Sequence, residues 1–242
     1  MSGHSHWHGI RHKKALTDAK KASVFTKVGN MISIAARHGG DPEMNFRLRL
    51  AIDQARASNM PKDRIEKAIK RGTGELKDGA AFEELVYEAY GPGQVALLIG
   101  TATDNRNRTF GEVRTLLTKN GGKIVPEGSV SYLFRPVGEI EISLDGRDPD
   151  EAELAAIEAG AEDIERADGS LYAYVPQESL QSAKESLETA GFTVTSASLS
   201  FLPTQRVTVT DEEWNALDRL LEILEDHADV QTVWDNLENT HG

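Results

Sequence analysis

Residues 82–99, Phe82-Glu83-Glu84-Leu85-Val86-Tyr87-Glu88-Ala89-Tyr90-Gly91-Pro92-Gly93-Gln94-Val95-Ala96-Leu97-Leu98-Ile99, mark the point where the chain changes its period. Glu84–Glu88 and Gln94–Ile99 read as two strands, and Gly91-Pro92-Gly93 between them is turn chemistry, so the simplest structure is a hairpin. Working upstream from there, the apolar period is helical. Phe25, Val28, Ile32 and Ala35 mark one face of a helix over about 17–38, which Gly39-Gly40 stops. Asp41 with Pro42 predicts the start of a second helix, striped by Leu48, Ala51, Ile52 and Ala55 and broken at Asn59-Met60. Pro61 opens a third, carrying Ile65, Ala68 and Ile69, with Lys70 and Arg71 at its C-terminal dipole and Gly72 beyond.

Downstream of the hairpin, a helix is predicted over about 109–120, ended by Gly121-Gly122, then a strand around 129–134. A weak internal repeat follows. Strand 139–144, a helix ending at Gly160 and strand 163–166 are echoed by strand 171–175, a helix ending at Gly191 and strand 193–199. Strand-helix-strand taken twice is the split βαβ, or ferredoxin-like, order. Asp148 to Glu151 and Thr210 to Glu213 have the spacing of capping boxes. The second opens a helix with Trp214, Leu217, Leu221 and Leu224 inward, and Val230–Trp234 can supply a last strand to the sheet begun by the hairpin. The predicted fold is therefore α+β. An N-terminal three-helix domain (1–77) precedes an α/β domain (78–134 plus 207–242), into which a ferredoxin-like α/β domain (135–206) is inserted.

Charge is divided along the same lines. Residues 1–77 hold 16 Lys and Arg against 7 Asp and Glu, a net of +9; residues 78–242 hold 11 against 32, a net of −21, which together give the overall −12. Polyanion affinity comes largely from cations that displace counterions, so the N-terminal third is the candidate nucleic-acid surface. The chain has no cysteine, which removes disulfides, thiolate chemistry and Cys-based zinc sites and fits a cytoplasmic protein. No apolar run is long enough to span a bilayer, so no membrane partner is expected.

The sharpest local feature is a basic arm, Arg11, Lys13, Lys14, Lys20, Lys21 and Lys27. Lys13, Lys20 and Lys27 are spaced by seven, as are Lys14 and Lys21, and so align if the helix extends back that far. Trp7 and His12 flank the cluster, where a ring could stack on an unpaired base while lysines hold phosphates. A second cluster is Asp104-Asn105-Arg106-Asn107-Arg108, where a strand gives way to a helix. Its donors suit phosphate or base edges, and Asp and Asn equally suit ordinary capping with the arginines paired to the acidic surface. His4, His6, His8 and His12 invite a metal, but their alternate, flexible spacing supplies nothing to fix the rings, so neither metal nor cofactor is expected. GxSxG, P-loop, dinucleotide and HExxH patterns are all missing, and Glu83, Glu84 and Glu88 have nothing to set them apart as an acid/base pair; the chain reads as a non-enzyme.

The strings His4-Ser5-His6-Trp7, Arg11-His12-Lys13-Lys14, Phe25-Thr26-Lys27, Arg47-Leu48-Arg49-Leu50-Ala51-Ile52, Asn59-Met60-Pro61-Lys62-Asp63, Gly72-Thr73-Gly74-Glu75, Tyr90-Gly91-Pro92-Gly93 and Thr103-Asp104-Asn105-Arg106-Asn107-Arg108-Thr109 closely resemble the YebC family over essentially the whole chain. The resemblance implies three domains, one inserted in another, and a regulator of gene expression. Some members are described as probable transcriptional regulators that bind promoter DNA; others act in translation, as a mitochondrial translational activator or in assisting ribosomes at proline-containing sequences. One departure is that the family's Lys-Trp is His6-Trp7 here, with one positive charge fewer in the arm. No recognition helix or dimerisation stripe is visible, which favours a monomer and places ribosomal RNA ahead of duplex DNA as the partner. A protein-interaction adaptor working through its acidic domains is the third reading.

Overall fold

The computed structural model describes residues 18–76, 82–167 and 169–238. They form two compact units, one of residues 18–131 and 209–235 and the other of residues 132–208 and 236–238.

The first unit begins with α1 (Asp18–Ala36), α2 (Phe46–Ala57) and α3 (Lys62–Gly72). Their inward stripes meet in one core of Val28, Ile32, Ala35, Leu48, Ala51, Ile52, Ala55, Ile65 and Ala68. Burying each of the larger side chains is worth roughly 1.5–3 kcal/mol. Polar groups bind α1 to α3 as well: Ser33 Oγ donates to the Ala68 carbonyl (2.8 Å), and Arg71 donates to Ser33 Oγ (2.9 Å) and the Gly29 carbonyl (3.1 Å). A Cβ at Gly72 would lie 2.2 Å from the Ser33 carbonyl oxygen, so glycine there is what permits the two backbones to approach.

The start of α2 differs from the sequence reading. Asp41 does not cap it; its carboxylate accepts from the Glu43 N–H (2.9 Å) in a local turn. Asn45 caps instead, accepting from the Leu48 N–H (3.1 Å) while its amide donates to the carbonyls of Ala35 (2.8 Å) and Gly39 (2.7 Å). An amide carries both donor and acceptor and can serve the end of α1 and the start of α2 together, which a carboxylate cannot.

The same unit continues with β1 (Glu83–Tyr90), β2 (Ala96–Thr103), α4 (Arg106–Lys119) and β3 (Lys123–Val125). Its sheet runs β3-β1-β2-β8, every pair antiparallel, where β8 (Val230–Asp235) returns from the far end of the chain to pair with β2. The β1–β2 hairpin is closed by Gly93 at φ 68°, where a Cβ would also meet Val209 at 2.5 Å. Before β8 runs α7 (Asp211–Glu225), opened by the reciprocal Thr210 and Glu213 capping box and burying Leu217, Leu220, Leu221 and Leu224.

The predicted strand over 129–134 is not the sheet's third strand; that place is taken by 123–125, and residues 131–133 form a short 3-10 turn. The segment between them is shaped by Glu88. Its buried carboxylate accepts from the N–H groups of Gly128 (2.7 Å), Val130 (2.6 Å) and Ser131 (3.0 Å). Burial works against ionisation of Glu88, and these backbone donors outweigh it, holding the carboxyl below its ordinary range.

The second unit contains β4 (Phe134–Ser143), α5 (Pro149–Glu158), β5 (Asp163–Ala167), β6 (Ser170–Val175), α6 (Leu180–Thr189) and β7 (Thr193–Pro203). Strand order β5-β6-β4-β7, all antiparallel, is the ferredoxin-like arrangement, lying in the chain between the two parts of the first unit's sheet. At the start of α5, Asp148 accepts from the Asp150 N–H (3.0 Å), a one-way cap in place of the reciprocal box predicted from Glu151. Registers β4–β6 and β4–β7 place Glu139, Glu141, Tyr172 and Tyr174 on one sheet face, where Glu165 joins them; all five are buried, and Glu165 is paired with Arg206 at 2.6 Å.

Candidate nucleic-acid interface

Trp7, Arg11, His12, Lys13 and Lys14 lie outside the described residues, and Lys20 and Lys21 belong to the first turns of α1. Lys27, nearly two turns further on, is a partly buried residue whose ammonium donates to the Glu225 carbonyl at the C-terminal end of α7. A cation there complements the helix dipole. Burial lowers the Lys27 pKa against the pull of Glu225 and Asp226. The Glu225 carboxyl is pushed up to about 7, chiefly by burial, with Lys27 opposing and Asp226, Glu222 and Asp218 adding to the rise. The seven-residue spacing that aligned Lys27 with the arm carries no information about this, because α7 is almost two hundred residues away.

Several arginines of the helical module also have structural partners. Arg37 donates to the Phe82 carbonyl (2.6 Å), Arg47 pairs with Glu84 (3.0 Å), and Arg49 donates to the carbonyls of Pro42 (3.0 Å) and Glu43 (2.9 Å). Arg71 lies over the Phe82 ring, 4.7 Å from its centroid. A guanidinium bonded to carbonyls keeps its charge but has fewer donors left for a phosphate fork. Lys67 and Lys70 are exposed on α3, and Lys62 is exposed beside Glu66.

The Asp104–Arg108 loop joins β2 to α4 through a tightly bonded corner. Asn105 caps α4 by accepting from the Arg108 N–H (3.1 Å). Arg108 itself is held between Asp104 (3.0 Å) and Asp229 (2.8 Å). Asp229, buried, also accepts from Thr109 Oγ1 (2.6 Å) and Thr103 Oγ1 (3.3 Å). Burial raises the Asp229 pKa, but the hydrogen bonds from Thr109 and Arg108 and the charge of Arg108 outweigh it, so the carboxyl stays ionised to below the usual aspartate range. Arg106 and Asn107 are exposed. The loop thus divides into Asn105 and Arg108, which build the corner, and Arg106 and Asn107, which face outward.

Two features here were not singled out from sequence. Phe110 is 40% exposed on α4, one turn beyond Arg106 and one turn before the exposed Arg114. The i, i+4, i+8 spacing was legible, but it reads equally as an ordinary helix flank. The second is the cluster Glu112, His227 and Asp229, whose donor atoms lie within 4.8 Å of one another. His227 Nδ1 accepts from the Asp229 N–H (3.1 Å), which places the ring proton on Nε2, donated to Glu112 at 3.0 Å. Both ring nitrogens are engaged, so a cation would have to displace a backbone N–H or a proton already hydrogen-bonded to a carboxylate; the arrangement suits a Glu–His pair better than a metal.

Residues 5–75 match the sequence family described as TACO1/YebC protein N-terminal domain, and residues 82–237 match TACO1/YebC second and third domain. The chain belongs to the TACO1/YebC family. Among its relatives, a "Probable transcriptional regulatory protein" of Persephonella marina is 50% identical, covering 98% of this chain and 96% of that one. A protein of the same name from Moorella thermoacetica is 48% identical over 98% and 95%. A crystal structure of a conserved hypothetical protein of Aquifex aeolicus is 43% identical, superposes with a TM-score of 0.90 and covers 97% of both chains. The family's N-terminal domain match coincides with the basic third of the sequence, and no helix among the described residues is long and apolar enough to cross a membrane.

Proposed function

We propose that this chain is a non-catalytic regulator of gene expression that binds nucleic acid through its basic N-terminal third, with ribosomal RNA in the ribosome as the favoured template and the protein acting as a monomer in the cytoplasm. The observation that carries this reading is the charge division, +9 for residues 1–77 against −21 for the rest. A cationic module attracts phosphate, and acidic domains keep the remainder of the protein from adhering along the same polymer. The names of the relatives, probable transcriptional regulatory proteins, support a regulator.

RNA is favoured over duplex DNA because α2 and α3, in the basic module, offer no row of arginines fit for a major groove. On α2, Arg47 and Arg49 are engaged elsewhere and Arg56 lies 3.6 Å from Asp53; on α3, Asp63 and Glu66 sit among the lysines and would oppose a phosphate backbone. In this reading Trp7, Arg11, His12, Lys13, Lys14, Lys20 and Lys21 take RNA in its folded, unpaired regions, and the outward-facing Arg106 and Asn107 form a second contact, on the corner that Asn105 and Arg108 build. The part assigned to Lys27 is indirect, through its hold on α7. Promoter DNA is the second reading, favoured by the printed names of the relatives. Sedimentation of cell extract through a sucrose gradient separates the two: ribosomal co-migration that falls when Lys13 and Lys14 are changed to Ala supports the first, and co-migration with nucleoid DNA alone overturns it.

A further inference from the structure

One side of α4 carries Arg106, Phe110 and Arg114 in successive turns, so the two guanidinium-bearing residues stand about 12 Å apart along the axis with an aromatic ring between them. The ring is 40% exposed, whereas α4 buries Thr109, Val113 and Leu117 on its inner side. Its orientation is set from below by Tyr87, whose ring meets Phe110 edge to face at 5.7 Å and 63°. Tyr87 OH in turn donates to the Arg106 carbonyl at 3.4 Å. Both arginines are exposed, and neither enters an ion pair with any described residue. The acids close by in sequence are already used: Asp104 is paired with Arg108 and Glu112 with His227; exposed Glu83, at the start of β1, is near enough to act on Tyr87. The corner is fixed as well, through the bonds that Thr103, Thr109 and Arg108 make to Asp229.

An aromatic ring flanked by two arginines matches what an unpaired nucleotide offers, a flat base between two phosphates. A duplex does not present that combination, because its base faces are already stacked on one another. We propose that the Arg106–Phe110–Arg114 face of α4 is a single-stranded nucleic-acid site in which Phe110 stacks on one base and the arginines hold the adjoining phosphates. It rests on the nucleic-acid reading above and adds to it: the α/β domain, acidic overall, contributes a base-stacking contact distinct from the arm's electrostatic one. The site tolerates any base, since every base has a face to stack.

The test uses the full-length protein and a fluorescent single-stranded RNA oligonucleotide carrying 5-bromouridine. Ultraviolet cross-linking followed by peptide mapping is expected to place an adduct on Phe110. Phe110→Leu, which keeps an apolar side chain on the helix, should weaken binding by about fivefold to a hundredfold, the range for losing one base stack, and Phe110→Trp should restore it. A duplex of the same length should not compete for the cross-link. Binding that is unchanged in Phe110→Leu, with adducts elsewhere, overturns the site while leaving the nucleic-acid function standing. Wild-type protein that binds no oligonucleotide at all overturns the functional reading itself. Circular dichroism melts of the Leu and Trp variants separate lost stacking from lost folding.

Discussion

Glu225→Gln should make this protein more stable at neutral pH and not at acid pH. Glu225 closes α7 beside the partly buried Lys27, and its carboxyl, ordinarily near 4.5, titrates at about 7 in the folded chain because burial and the neighbouring acids disfavour its charge. A folded pKa above the unfolded one means that the native state binds the proton more tightly, so stability declines as pH rises between the two values. With 4.5 and about 7 as the limits, the ionised group costs at most about 3 kcal/mol at pH 8, about 1.4 kcal/mol at pH 5.5 and about 0.4 kcal/mol at pH 4.5. Solvent reaching this incompletely buried carboxyl screens the nearby acids, which brings the gain at pH 8 to about 1–2 kcal/mol. Glutamine keeps the size and the polar end of the protonated acid, and the Lys27 bond runs to the backbone carbonyl, which the substitution leaves in place. For a chain of this length the gain corresponds to a melting temperature higher by about 2–8 °C. Differential scanning calorimetry of both proteins from pH 4.5 to pH 8 measures it. Equal melting temperatures at pH 8, or a difference that does not shrink toward pH 4.5, would refute the reasoning.

Asp229→Ala has the opposite sign: it removes the carboxylate shared by the buried hydroxyls of Thr103 and Thr109, which are left with each other and Asn105, and it leaves Arg108 with Asp104 alone, a loss of about 2–4 kcal/mol at pH 7 in urea denaturation. Because the Asp229 pKa is depressed, its contribution is present at neutral pH and fades as pH falls below the usual aspartate range; a wild-type advantage that persists undiminished at pH 2 would contradict this. Gly72→Ala should cost about 1–3 kcal/mol by forcing α3 away from the Ser33 carbonyl, and a melting temperature equal to wild type would show that the contact yields easily. Added zinc should leave the melting temperature unchanged, since both His227 nitrogens are engaged; a zinc-dependent rise that His227→Gln abolishes would establish a metal site at Glu112, His227 and Asp229.

What the sequence determined by itself was whatever depends on neighbours a few residues apart. The stripes of α1 to α3, the capping box at Thr210, the Gly91-Pro92-Gly93 turn and the doubled strand-helix-strand order are local or periodic, and burial of one face with satisfaction of the first backbone N–H groups suffices to produce them. The return of a late strand to the hairpin's sheet was legible for a related reason: a sheet left with an unpaired edge needs a further strand, and Val230–Trp234 could supply it. Where local rules failed, a distant partner had decided. Asn45 displaced Asp41 as the cap because it also had the end of α1 to satisfy, and the backbone of residues 128–131 is held by Glu88, a partner about forty positions away that no local rule names. The candidate interface divides the same way. Charge summed over a domain is a property of composition, and it identified the basic third. Which cation is available to a ligand depends on what else the fold brings to it: Lys27 meets the end of α7, Arg108 meets Asp229 across 121 positions of sequence, and Arg106 and Arg114 are left to the solvent on either side of Phe110. Those pairings are set by packing between elements far apart in the chain, and no periodicity within either segment carries them.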